Sequence, residues 1–316
     1  MNEYFRKMLY LSFKSEDTEE WLDVHFTRPV GLAFALFWNR LGVHPNAITI
    51  LSICLGIGAA VMFYHIDLAH NLAGVALLML ANFCDSTDGQ MARLTGKKTL
   101  IGRILDGFAG DVWFFCIYIA LCLRLMPQFI PATGVKWGWG IWFLAFVAGI
   151  LCHSPQSSLA DYYRQIHLYF LKGSEGSELD SYEQQRAVCR SLPKSDILGR
   201  LFHCFYARYC RRQERSTPAF QRFFKQFLLL GERSKPQQAV EIGQRFTAGS
   251  RPLMKYANIL TFNVRAITLY VSCLLNIPWV YFLVEITVLT VLYAYMHRRH
   301  ERLCDKLYEL TKKVTE

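Results

Sequence analysis

"NFCDSTDGQMARLTGKKTLIGRILDGFAGD", residues 82–111, lies between two strongly apolar stretches and carries four carboxylates: Asp85, Asp88, Asp106 and Asp111. Whether they border hydrocarbon or water decides the fold, and the flanking sequence answers that. The chain has 316 residues, 53% of them hydrophobic and 15% aromatic. Six apolar runs approach or exceed the roughly 20 residues that cross a bilayer. They cover about 47–64, 68–83, 105–125, 139–160, 256–276 and 279–296. Backbone in hydrocarbon must satisfy its own hydrogen bonds, so these spans are helical. The expectation is an all-α integral membrane protein with six transmembrane helices.

Charge gives the orientation. Basic residues gather before the first span (Arg28, Arg40), between the second and third (Arg93, Lys97, Lys98, Arg103), between the fourth and fifth, and after the sixth in "HRRHERLCDK". The alternate loops carry little charge. This positive-inside pattern places both termini and the acidic stretch in the cytoplasm. The net charge of +10 is then matched by anionic headgroups and substrates, and no nucleic acid is needed to explain it.

The N-terminal sequence lacks the apolar core and small-residue cleavage site of a signal peptide. Ten cysteines are scattered without a CxxC pair and read as reduced, small hydrophobes. His297, His300 and Cys304 share a helix face and have metal-ligand chemistry, but a solvated tail is the favoured reading.

The domain reading follows. Residues 1–45 form an N-terminal segment in which 30–41 is a short amphipathic helix at the membrane interface. Residues 46–160 hold spans one to four. Residues 161–255, with 17 Lys/Arg against 9 Asp/Glu, form a basic cytoplasmic helical insertion. It is read either as a surface resting on anionic lipid or as a small bundle with a basic face. Residues 256–297 hold spans five and six, and 298–316 are a tail.

On a helix, Asp85, Asp88, Gly89 and Ala92 fall within an arc of about 100°. Carboxylate oxygens on that face gather a hard cation, while Gly and Ala let a bulky ligand approach the backbone. Each unpaired carboxylate in the membrane would cost about 2.5–3.5 kcal/mol, which divalent cations offset. All-oxygen donors favour Mg²⁺ or Mn²⁺.

Asp85-x-x-Asp88-Gly89-x-x-Ala92-Arg93, eight residues, then Gly102-x-x-x-Asp106 resembles the signature of the CDP-alcohol phosphotransferase family. Six spans, an interfacial helix and "GVHPNAIT" before the first span are similar as well. The resemblance implies a membrane enzyme that displaces CMP from CDP-diacylglycerol or a related CDP-lipid, often working as a homodimer. It implies that Asp85, Asp88 and Asp106 hold the metals, and that Asp85, Gly89, Ala92, Arg93 and Gly102 bind the CDP group. The family's fourth Asp, its base, would stand at position 110, which is Gly110 here. Asp111 would reach the same face through a one-residue π-bulge, as base and further metal ligand.

Arg103, Arg164 and Arg265 are candidates for a cationic acceptor pocket, with Arg265 inside the fifth span. If engaged by a carboxylate, Arg265 would pair with Asp161 or Asp85. Such a pocket, and a likeness to bacterial members, favour inositol 1-phosphate over glycerol 3-phosphate, inositol or another polar alcohol. Two rivals are a Mg²⁺-dependent membrane prenyltransferase and a divalent-cation transporter. The first needs a second Asp-rich segment; the second needs carboxylates spread along several spans.

Overall fold

The computed structural model describes residues 8–9, 15, 17–96, 100–232 and 236–315. Helix α1 is Arg28–Arg40, entered through a π-helical turn, Asp23–Thr27. Then follow α2 (Pro45–Tyr64), α3 (Leu68–Thr95), α4 (Leu100–Leu125) and α5 (Gly140–Lys172, π-helical over Val147–His153). Four helices come next: α6 (Tyr182–Ser191), α7 (Ile197–Ser216), α8 (Pro218–Glu232) and α9 (Pro236–Ile259). The last two are α10 (Phe262–Leu274) and α11, which comprises Trp279–Val284, a π-helical Glu285–Leu289 and Thr290–Thr315.

Six helical stretches are long and apolar enough to cross a membrane: Pro45–Tyr64, Leu68–Thr95, Ile104–Leu125, Gly140–Lys172, Gln237–Leu274 and Trp279–Lys313. The protein is an all-α membrane protein. Several helices outrun the apolar runs because polar residues of good helix propensity continue them, as in the last turns of α3 and most of α11.

Two compact units divide the chain: Met1–Pro155 with Phe262–Val288, and Gln156–Thr261 with Leu289–Glu316. The second unit contains all of the basic insertion and also Leu289–Glu316, which the hydropathy assigns to the last span and a tail.

In the first unit, local chemistry fixes where helices begin and end. His44 caps α2, accepting the Asn46 amide at 3.2 Å ahead of Pro45 in the first turn. Asp67 caps α3 by accepting the His70 amide at 3.1 Å. Gly96 ends α3 at φ +68°, the left-handed conformation that stops a helix at little steric cost to Gly.

Small residues let the spans approach. A Cβ on Gly56 would lie 2.0 Å from Trp113 Cδ1, so α2 and the buried indole of α4 meet where only Gly fits. Far along the same spans, buried Arg124 donates to Phe63 O (2.9 Å), Asn71 Oδ1 (2.8 Å) and Asn276 Oδ1 (2.8 Å). One guanidinium thereby ties α2, α3 and the α10–α11 turn to α4.

Gly56→Ala is expected to destabilise the purified protein by about 1–3 kcal/mol through overpacking. Trp113→Leu in that background should cost less than the two changes separately. Thermal unfolding in detergent checks this, and additive losses would refute the Gly56–Trp113 contact as the cause.

Candidate active site

Helix α3 carries Asp85, Asp88, Gly89, Ala92 and Arg93, and α4 carries Gly102, Asp106 and Asp111. One oxygen from each of Asp85, Asp88 and Asp106 lies within 4.8 Å of the others. The three differ in environment: Asp88 is only 3% exposed, Asp85 is half-buried and Asp106 is exposed. Both oxygens of Asp88 are buried with no hydrogen-bond partner. The Thr49 hydroxyl donates to the Pro45 carbonyl at 3.3 Å. Three mutually repelling carboxylates, one shut away from water without donors, are costly unless a cation joins them. The donors are all oxygen, so this set fits a hard divalent ion.

The rest of the face is shaped for a ligand. A Cβ on Gly89 would meet the Arg93 guanidinium at 3.6–3.7 Å, so Arg93 folds back along α3 over the bare Gly89 backbone. Gly102 stands one turn before Asp106 on α4.

The intervening residues have a separate job. Ser86, Thr87 and Gln90 occupy an arc on the opposite side of α3, about 100° wide. There α1 docks: a Cβ on Gly31 would lie 2.7 Å from Gln90 Nε2 and 2.9 Å from Ser86 Oγ. Thr87 Oγ1 donates to the Gly31 carbonyl at 3.3 Å, and Gln90 Nε2 donates to the Arg28 carbonyl at 3.2 Å. One face of the motif gathers charge while its back face holds the N-terminal helix.

That docking brings a residue the motif does not reveal. Arg28 lies within electrostatic reach of Asp85, and Glu19 orients it through two contacts at 3.2 and 3.0 Å. The same N-terminal segment is anchored to α10, where Asn263 Nδ2 donates to Glu20 (2.8 Å) and Asp23 (3.2 Å). Burial raises the Asp23 carboxyl above its ordinary range, with the Asn263 bond opposing the shift. In sequence, Arg28 signals only orientation, because its partners lie on segments brought together by the fold.

Two expectations are corrected. Helix α4 is regular through Asp111, so the π-bulge is absent there; Asp111 is exposed, turned about 140° from Asp106, and outside the three-carboxylate cluster. The π-helical turns of the spans fall instead at Val147–His153 and Glu285–Leu289.

Arg265 pairs with neither Asp161 nor Asp85. It is 1% exposed and forms a buried ion pair with Glu285. His153 Nδ1 lies 3.6 Å from Glu285, and the Tyr118 hydroxyl lies 3.4 Å from that same nitrogen.

Arg164 belongs to the second unit and faces Asp161 on its own helix at 3.6 Å. Arg103 lies outside the described side chains.

Residues 42–159 match the family model described as CDP-alcohol phosphatidyltransferase. A CDP-diacylglycerol–serine O-phosphatidyltransferase of Mycobacterium leprae (strain TN) is 31% identical over 99 residues, 31% of this chain and 31% of that protein. The chain thus matches about a third of the length of that curated relative.

Asp88→Asn relieves the repulsion and should raise the melting temperature in chelator by a few degrees, equivalent to about 1–2 kcal/mol. The rise that millimolar Mg²⁺ or Mn²⁺ gives the wild type should vanish in the variant. A variant less stable than wild type in chelator, still stabilised by the ions, would contradict the cluster's role.

Proposed function

From the match of residues 42–159 to the CDP-alcohol phosphatidyltransferase model, we propose that this chain transfers a phosphatidyl or related phospho-alcohol group from a CDP-linked donor, CDP-diacylglycerol, to a small polar alcohol. The acceptor oxygen forms a bond to the lipid-bearing phosphorus, the bond from that phosphorus to the bridging oxygen breaks, and CMP leaves. The observation that carries this reading is the convergence of Asp85, Asp88 and Asp106 beside Gly89 and Arg93. The active site and both termini face the cytoplasm of a bacterial inner membrane in this proposal, and the working form is a homodimer.

Asp85, Asp88 and Asp106 hold one or two Mg²⁺ or Mn²⁺ ions. When bound, these supply charge neutralisation at the diphosphate and at the leaving phosphate. Gly89, Ala92 and Gly102 leave room for the CDP group, and Arg93 adds a charge-assisted contact to phosphate. Arg28, within electrostatic reach of Asp85, adds a positive charge that opposes the repulsion among the three carboxylates.

The acceptor's proton is assigned to Asp88. Its two unpartnered oxygens allow one to hold a cation and the other to take the proton. Asp111, on another face of a regular helix, is the alternative base. The acceptor reading keeps inositol 1-phosphate as first candidate, with Arg103 in the pocket read from sequence. The serine specificity in the Mycobacterium leprae relative's name makes serine the second.

Purified protein with CDP-diacylglycerol and Mg²⁺ or Mn²⁺ is expected to release CMP on addition of one acceptor from a panel. The panel holds inositol 1-phosphate, inositol, glycerol 3-phosphate and serine. Absence of CMP release with every acceptor would refute the proposed reaction. Asp111→Asn should keep turnover within a few-fold of wild type. A loss of about 10²–10⁴-fold, the range for a general base, would return the role to Asp111.

A further inference from the structure

His300, Glu301 and Cys304 stand on about one turn of α11 in the second unit, where the sequence suggests a solvated tail. The structure buries them instead. His300 and Cys304 are 0% exposed, and the His300 ring stacks on Tyr163 with centroids 3.9 Å apart. Cys304 Sγ lies 3.6 Å from His300 Nδ1, and Glu301 Oε1 lies 4.0 Å from the same nitrogen. One donor atom from each residue lies within 4.8 Å of the others.

Glu301 is oriented from outside the trio: it accepts the Ala219 amide through Oε2 at 2.8 Å, at the start of α8. Its other oxygen, Oε1, is buried without a hydrogen-bond partner, and so is His300 Nε2.

A thiol-to-imidazole hydrogen bond would account for Cys304 and His300 as ordinary core residues. It leaves Glu301 Oε1 buried and unmatched beside them, at a cost of about 1–3 kcal/mol or more for a charged group. A cation among the three donors removes that cost. Zinc with bonds of about 2.3 Å to sulfur and 2.0–2.1 Å to nitrogen in a tetrahedron holds those two atoms about 3.5 Å apart. The observed separation is 3.6 Å.

The donor chemistry also differs from that of the aspartate cluster. Sulfur, nitrogen and one oxygen select a borderline-soft ion, whereas three carboxylates select a hard one. Among the described residues, this is the convergent trio that includes a thiol.

We propose that His300 Nδ1, Cys304 Sγ and Glu301 Oε1 bind one zinc-class divalent ion. All three ligands stand on α11, while Glu301 keeps its hydrogen bond from the Ala219 amide at the start of α8 through its other oxygen. On binding, the Cys304 thiol loses its proton to solvent and a sulfur–metal bond forms. The site takes no part in the transfer reaction, so its fate is separate from that of the catalytic reading.

The test uses the full chain, purified in detergent from zinc-supplemented cells. Wild type should hold one more zinc per chain than either His300→Gln or Cys304→Ser, whose zinc affinity falls at least about tenfold. Added Co²⁺ should give thiolate-to-cobalt absorption in wild type and in His70→Ala, a control for the convergent His65, Asp67 and His70, but not in Cys304→Ser. Equal zinc content in wild type and variants overturns the proposal. So does the absence of a thiolate–cobalt band in wild type, a readout that stands even where a variant fails to fold.

Discussion

Three carboxylate oxygens within 4.8 Å of one another, one of them on a side chain with no donor for either oxygen, form the constraint on which the first unit turns. Folding alone does not favour such a group: burial penalises each charge, and proximity adds repulsion. The surrounding helices hold it regardless. Gly56 admits Trp113, Gly31 lets α1 lie on Ser86 and Gln90, and Arg124 ties the far ends of the spans. The scaffold keeps α3 and α4 in a geometry their acidic residues would resist, which is the arrangement expected where stability is traded for binding.

The six spans were legible because hydrocarbon demands long apolar helices, a signal carried by composition alone. The motif was equally legible, since Asp85, Asp88, Gly89 and Ala92 share a face by helical periodicity. What the sequence concealed depends on pairings remote along the chain. Arg265 resembled an acceptor ligand because a charge in a span is costly unless used or paired; its partner, Glu285, lies 20 residues away on another helix. Arg28 gave no sign that it would face Asp85, because that depends on how α1 docks.

The π-helical turns make the same point. The spacing of the motif asks for one at Asp111. The structure places them at Val147–His153 and Glu285–Leu289, whose terminal residues, His153 and Glu285, meet beside Arg265. An extra residue in a helical turn re-aims the side chains after it. Here it serves the buried polar group of the span interior, and α4 stays regular. The misread tail has a related cause: "HRRHERLCDK" is strongly polar, yet its periodicity gives α11 one buried face bearing His300 and Cys304.

The most direct measurement is Mn²⁺ binding followed by electron paramagnetic resonance, with and without CDP. If the carboxylates hold the ion that meets the diphosphate, CDP should tighten Mn²⁺ binding by at least about fivefold, and Mn²⁺ should tighten CDP binding equally. Asp88→Asn should abolish the coupling. Mn²⁺ binding that is indifferent to CDP, or coupling that survives in Asp88→Asn, would contradict the account.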